Sequence, residues 1–340
     1  MIDMWRAQRA LPKYFRILNG EEQPNFHYLK RIKVDFEEDE DISELWKLHD
    51  EALELLKRGK LNIMGKYTLL DLKLLIARKM LKSCILCEFK CRLNRERSIG
   101  YCRVKNTKIA SYFMHMGEEP ELVPSFTIFF SGCNFRCVFC QNWDISQRTQ
   151  GIYIQPRKMV RIIDDAFERG AKNVNLVGGE PTPNIPYILE VLNHVTSPIP
   201  VVWNSNMYMS EEAMKLLDGM VDIYLGDFKW ADDKKARKYS KALHYWKVVT
   251  RNFLLAKEHY RVEFLIRHLV MPGFVEDTRK ILSWISTHLG KNVRVNVMFQ
   301  YYPCYRASEY PEIDRRLIYN ERKEVERIVQ EIGLENVLVG

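Results

Sequence analysis

Residues 129 to 146 read FFSGCNFRCVFCQNWDIS and place Cys133, Cys137 and Cys140 in a C-x3-C-x2-C run with no fourth cysteine nearby. Structural zinc asks for four closed ligands, usually as paired C-x2-C knuckles, so an asymmetric trio suits it poorly. A thioredoxin-like redox pair needs only C-x2-C. Iron–sulfur ligation fits better, because thiolates gathered in one loop suit a cubane cluster. Three protein ligands leave one iron open, and an open coordination position is where a small molecule binds. The plain alternative is three cysteines that only pack, which the density of the run disfavours.

A second group, Cys84, Cys87, Cys91 and Cys102, is spaced C-x2-C-x3-C-x10-C and can close a four-thiolate site alone. Zinc and a second [4Fe–4S] cluster are both reasonable there, and spacing does not separate them. Lys90, Arg92, Arg95, Arg97 and Arg103 offset the thiolate charge with either metal. The eighth cysteine, Cys304, stands alone beside Tyr301, Tyr302 and Tyr305. It is a candidate hydrogen-atom donor, substrate anchor or extra ligand, set against the commoner semi-buried thiol.

These groups need elements to hold them. From residue 125 apolar, β-branched and aromatic runs recur at 126–132, 173–179, 199–206, 221–229, 262–273 and 294–303, with helical patterns between most of them. Pro156 opens one helix that ends at Arg169 before Gly170, and Ser210 caps another. Repeated βαβ units predict a parallel sheet, here an α/β partial (β/α)6 barrel of TIM type with its chemistry at the C-terminal strand ends. The cysteine triplet lies directly after the first of these strands. Residues 1–120 read as a mostly helical N-terminal region carrying the four-cysteine metal module. Ser43 is placed as the cap of one helix there, and another runs on from Thr68. The acidic run 35–43 reads as an exposed connector. The barrel is assigned to 121–310, and 311–340 to a C-terminal helix from about Asn320 and a short strand.

Of the 340 residues, 52 are basic and 44 acidic, giving a net charge of +8. That modest, dispersed excess favours a solvated surface over nucleic-acid binding. No apolar run is long enough for a membrane helix, and the first residues lack a signal-peptide core, so a soluble cytoplasmic protein is expected. Eight cysteines without a secretory signal argue for metal or redox use over disulfides.

With Phe139 just before the last cysteine, the triplet resembles the signature of the radical S-adenosylmethionine (radical SAM) enzymes. TIFFSGCNFRCVFCQNWDISQ, NVNLVGGEPTP, VDIYLGDFKW, IRHLVMPGF and QYYPCYRA resemble, in order, the pyruvate formate-lyase activating enzyme-like branch. The resemblance covers roughly residues 80 to 310. It implies a [4Fe–4S] cluster on Cys133, Cys137 and Cys140 whose open iron chelates S-adenosylmethionine, and reductive cleavage to a 5′-deoxyadenosyl radical that takes hydrogen from a substrate. Gly178, Gly179, Glu180 and Pro181 match an element that contacts the cofactor's amino group. Asp227 and Lys229 match an Asp-x-Lys element near its methionyl end that helps hold a monovalent cation. Asn204, Ser205 and Asn206 stand where activases carry Asp-Thr-Asn, and the missing Asp weakens the case for that cation. Arg267 matches an arginine on the cofactor carboxylate, leaving His268 on the opposite strand face as a packing residue.

The resemblance implies a peptide, protein or small-molecule substrate, possible glycyl-radical activation, and an electron donor such as flavodoxin or ferredoxin. A different class also fits the cysteines: a non-catalytic iron–sulfur or zinc binding module, for instance for RNA, on a similar barrel.

Overall fold

The structure, a computed structural model, describes residues 4–60 and 62–340. Residues 1–3, part of the segment read for a signal peptide, and residue 61 lie outside the described residues. Its strands are β1 (Lys33–Val34), β2 (Tyr67–Thr68), β3 (Ile109–His115), β4 (Ser125–Phe130), β5 (Asn173–Gly178), β6 (Val201–Ser205), β7 (Ile223–Asp227), β8 (Glu263–Leu269), β9 (Arg294–Met298) and β10 (Asn336–Val339).

Strands β4 to β9 are the six expected from the apolar runs. They pair in parallel and in chain order, with helices Pro156–Glu168, Ile185–His194, Glu211–Leu217, Tyr245–Lys257 and Val275–His288 between them. Two further strands extend this sheet: β10 adds in parallel beside β9, and β3 adds antiparallel to β4. The region read as mostly helical is so only as far as Leu81, the end of helix Leu69–Leu81; most of residues 82–108 are turns and irregular chain, and β3 follows. The aromatic, β-branched run IASYFMH suits a pleated strand better than a helix.

Local capping mostly follows from side-chain chemistry. Thr68 forms a capping box with Asp71 ahead of helix Leu69–Leu81, and Ser210 accepts from Ala213 N at 3.1 Å. Pro156 begins its helix, and Gly170, at φ +91°, follows its end. Helix Ile42–Lys57 corrects the expected Ser43 cap: Asp41, two residues earlier, takes that role and accepts from Ser43 N at 2.8 Å, because its carboxylate reaches a free N–H of the first turn. The last helix is Tyr319–Ile332.

Helices Met4–Ala10 and Pro12–Leu18 reach the lower end of the sheet. Leu11 and Tyr14 join Leu122, Val202, Ile223, Leu225 and Leu265 in a separate buried apolar cluster. The polar atoms there are paired. Lys13 Nζ donates to Asp222 at 2.7 Å, Glu263 accepts from the Lys13 and Tyr14 amides at 2.6 and 2.9 Å, and Asn173 donates to the Tyr14 hydroxyl at 2.9 Å. This cluster forms a floor at the lower end of the sheet. Among the described residues no helix is long and apolar enough to cross a membrane.

Candidate functional site

A cavity of about 660 Å³ opens at the C-terminal ends of β4 to β9, a size suited to a cofactor-sized ligand. Its lining includes Cys133, Cys137 and Cys140, and also Phe139, Gly178, Gly179, Glu180, Asn204, Ser205, Asp227, Lys229 and Arg267. Residues 130 positions apart in sequence are therefore neighbours here, which the parallel register explains. Asp227 on β7 pairs with Arg267 on β8, and Arg267 pairs with Asn296 on β9.

The cysteine loop is held by backbone bonds on both sides. Arg136 and Val138 amides donate to Ser240 O and Tyr239 O at 2.9 and 2.8 Å, and Val138 O accepts from Arg306 N at 2.8 Å. Each sulfur has a polar neighbour. Phe135 N donates to Cys133 Sγ at 3.3 Å, Cys137 Sγ lies 3.2 Å from Ser240 Oγ, and Cys140 Sγ lies 3.3 Å from Ser146 Oγ. Burial pushes all three thiols up, Cys137 to about 12, so without a cation they stay protonated. A bound metal supplies the missing positive charge and turns such thiols into thiolates. No group of three or more His, Cys, Asp or Glu among the described residues is arranged to hold a single metal ion. Three soft donors that open on one cavity suit a cubane, which presents a different iron to each thiolate.

Gly178 and Gly179 act first on the protein itself. A Cβ on Gly178 would stand 2.1 Å from Phe130 N, and one on Gly179 would stand 2.1 Å from Gly132 O. Only glycine lets the end of β5 lie against the chain leading into the cysteine loop. Glu180 follows, buried, with Oε1 accepting from Thr182 Oγ1 at 2.6 Å, Ser205 Oγ at 2.7 Å and Thr182 N at 3.3 Å. Among the described residues Oε2 accepts from Asn206 N alone, at 3.0 Å, so it keeps acceptor capacity. Asn206 Nδ2 in turn donates to Asn134 Oδ1 at 2.7 Å, which ties this network to the cysteine loop.

Arg267 is spent partly on the protein. Its Nε donates to Glu119 at 2.8 Å, and Nη2 pairs with both Glu118 and Glu119. Among the described residues these bonds do not use Nη1, whose two donors remain for another partner. Sequence reasoning missed Glu118 and Glu119. They form a GEEP loop just before β4, and their partner lies 148 residues away, too far for local pattern to reveal. Asn134 was missed for the same reason. Lys229 is ion-paired with Asp227, so an internal ammonium occupies one side of the expected cation position.

Three residues sit differently from the cavity. Pro181 is outside its lining and starts the single turn Thr182–Asn184. Cys304 is half-buried in the loop after β9 and also lies outside the lining, with its carbonyl accepting from Ala307 N at 3.1 Å. His268 faces away from the cavity and is buried between Phe228 O and Thr278 Oγ1, each at 2.8 Å. Beyond the lining, Trp143 stacks on Tyr305 with ring centres 5.5 Å apart.

The sequence profile of the radical SAM superfamily matches residues 127–285, which span the triplet and most of the cavity-forming strands. The chain carries a radical SAM superfamily domain. It is also 42% identical over 337 residues to the uncharacterized protein MJ0674 of Methanocaldococcus jannaschii, covering 96% of this chain and 98% of that one. A second protein of the same organism, the uncharacterized protein MJ0808, is 24% identical over 216 residues, covering 62% of this chain and 61% of that protein.

Among solved structures, this radical SAM chain is similar to Streptococcus suis SuiB bound to S-adenosylmethionine, with TM-score 0.48 and 13% identity over 61% of this chain and 48% of that one. SuiB bound to its precursor peptide SuiA gives TM-score 0.46 and 14% identity, over 61% and 46%. The radical SAM chain thus spans about half the length of these solved structures.

Proposed function

We propose that this radical SAM enzyme binds S-adenosylmethionine at a [4Fe–4S] cluster held by Cys133, Cys137 and Cys140, and takes a hydrogen atom from a peptide, protein or small-molecule substrate. A cluster held by these three cysteines would supply the electron for reductive cleavage of S-adenosylmethionine. The observation that carries this reading is the single cavity onto which three soft thiols, the Glu180 carboxylate and the Arg267 guanidinium all open.

The chain's own residues divide the remaining work. Glu180 Oε2 retains a lone pair suited to an ammonium group, and the donors on Oε1 fix its orientation. Arg267 Nη1 suits a carboxylate, while Glu118 and Glu119 hold the guanidinium plane in place. Phe139, buried against Trp230 and Tyr301, packs behind the cysteines and excludes water. Asn204 and Ser205 continue the wall from β6, and the Asp227–Lys229 pair supplies a charged edge from β7. The activating enzyme-like branch, with glycyl-radical formation on a partner protein, remains the favoured substrate class because its motifs recur in order along this chain.

The test is anaerobic reconstitution with iron and sulfide, reduction with dithionite, and measurement of 5′-deoxyadenosine. The native chain is expected to release it, and a Cys133→Ala, Cys137→Ala, Cys140→Ala variant to release none. Full cluster occupancy in the native chain without any cleavage would falsify the proposal.

A further inference from the structure

A cluster at the triplet has to accept an electron, and how readily it does so depends on what meets its sulfurs. Hydrogen bonds to ligating sulfurs help to set a cluster's reduction potential, because each donor offsets part of the negative charge that reduction adds.

Cys137 meets a hydroxyl whose direction can be worked out. Ser240 Oγ lies 3.2 Å from Cys137 Sγ and 2.9 Å from Trp230 Nε1. An indole nitrogen only donates, so the serine oxygen accepts that bond. A cysteine bound to metal has lost its proton, so between sulfur and hydroxyl only the hydroxyl can then donate. Among the described residues Ser240 Oγ bonds to nothing else. Its single proton is therefore committed to the sulfur.

The parts of this relay are held still. Trp230 and Ser240 are both fully buried. The indole stacks on Tyr239 with ring centres 5.3 Å apart and meets Phe139 at a steep angle, 5.7 Å away. Ser240 is the last residue of helix Asp233–Ser240, and Lys241, left-handed at φ 56°, turns the chain away after it. The carbonyls of Tyr239 and Ser240 are those that accept from Val138 N and Arg136 N. The segment that fastens the cysteine loop thus also delivers the hydroxyl.

Cys140 repeats the device from another element, helix Trp143–Arg148. The buried Ser146 places its Oγ 3.3 Å from Cys140 Sγ and accepts from Gln147 Nε2 at 3.1 Å. The same nitrogen donates to Phe135 O at 3.2 Å, and a carbonyl can only accept, which fixes how the amide is turned. Cys133 is met by amides instead, Phe135 N at 3.3 Å and Asn206 Nδ2 at 3.9 Å.

The other cysteine group offers a contrast. Cys84, Cys87 and Cys102 are buried and Cys91 is half-buried, in the chain between helix Leu69–Leu81 and β3. There Tyr101 N lies 3.5 Å from Cys91 Sγ, and among the described residues no hydroxyl bonds to any of the four sulfurs. Both hydroxyl–sulfur contacts belong to the triplet.

We propose that Ser240 and Ser146, aimed by Trp230 and Gln147, are positioning residues that donate O–H···S hydrogen bonds to the triplet's thiolates and raise the reduction potential of its cluster. A weaker one-electron donor then suffices to load it. Neither serine lines the cavity, so they act on the ligand sulfurs and not on a molecule bound beside them. The proposal rests on the reading that the triplet holds a cluster.

The experiment is an anaerobic redox titration of the reconstituted full chain, followed by electron paramagnetic resonance, with iron and sulfide counted alongside. The signal followed is the one that S-adenosylmethionine alters when added afterwards. Ser240→Ala removes the hydroxyl and keeps the backbone carbonyl. It is expected to retain the native iron content and to lower the equilibrium constant for reduction about tenfold, a downward shift of about 59 mV for one electron. Ser146→Ala should move the potential the same way by a smaller factor, because Cys140 is half-buried and water replaces part of the lost bond. Trp230→Phe, which frees the hydroxyl to rotate, should also give a smaller downward shift, and Ser240→Thr should restore the native potential. Unchanged or raised potentials in both alanine variants at full iron content would overturn the proposal. Should Ser240→Ala lose its cluster, the potentials of Ser146→Ala and Trp230→Phe decide in its place. A native chain that takes up no cluster would sink the proposed function as well. A native chain that cleaves S-adenosylmethionine, beside variants of unshifted potential, would sink this inference alone.

Discussion

At the end of β5 the cavity carries Glu180, whose oxygens accept from Thr182, Ser205 and Asn206, all neutral donors. Near β8 it carries Glu118 and Glu119, whose oxygens are taken up by the guanidinium of Arg267. Burial acts on both places, with opposite results. It pushes the Glu180 carboxyl above its usual range despite the donors. It also pushes on Glu119, but the Arg267 charge outweighs it and the carboxyl ends below its usual range. A carboxylate held by neutral groups still lacks a cation, whereas a carboxylate already paired acts as a brace. Chemistry toward an incoming amine therefore belongs to the first place, and orientation of the guanidinium to the second.

Replacing Arg267 by Met tests the brace most severely. It takes the guanidinium from the buried Glu119 and the half-buried Glu118, which keep the neutral donors Asn296 and Asn175, and urea unfolding is expected to show a loss of about 3 kcal/mol. An unchanged midpoint would mean that the pairing is decorative. Glu180→Gln keeps the shape but removes the charge. Binding of S-adenosylmethionine to the reconstituted protein, followed by equilibrium dialysis, is expected to weaken about ten- to hundredfold. Equal affinity would show that the amine is held elsewhere.

The two places also predict opposite pH slopes in the metal-free protein. Glu119 has a folded pKa below the ordinary glutamate value of 4.5. Its contribution is present above that value and is lost as pH falls through the folded pKa. Glu180 is raised above 4.5, so its cost is absent below that value and grows as pH rises through the folded pKa. Glu119→Gln should flatten the acid limb of stability against pH and Glu180→Gln should not, as read from urea midpoints. The smallest effect is expected one residue from Arg267. Burial lowers the His268 pKa to about 4, so it is neutral near pH 7, and both its ring nitrogens are occupied. His268→Gln should cost about 1 kcal/mol and leave the rate of S-adenosylmethionine cleavage unchanged.

Parallel strands buried on both faces announce themselves as continuous apolar runs, and all six barrel strands were legible from that pattern. The strand β3 was harder to find because Ser111, Tyr112 and Phe113 are exposed at the sheet edge, so burial does not enforce a clean apolar run. The cysteines were legible because ligand chemistry demands close spacing along the chain. Glu118, Glu119 and Asn134 were not, since each gains meaning only from a partner brought in by the register of distant strands. Local caps fell between these cases. Thr68 and Ser210 were readable, but Asp41 displaced Ser43 through a shift of two positions that only the chain geometry selects.

The floor formed by Leu11, Tyr14 and Leu122 bears on traffic. The lower end of the strands is filled by this cluster and by the Lys13–Asp222 pair, which among the described residues close that side. A ligand that enters at the C-terminal strand ends and leaves by the same side blocks the next arrival while its spent fragment is still in place. Turnover in such a vessel is a queue, and its pace is governed by departures as much as by the chemistry inside.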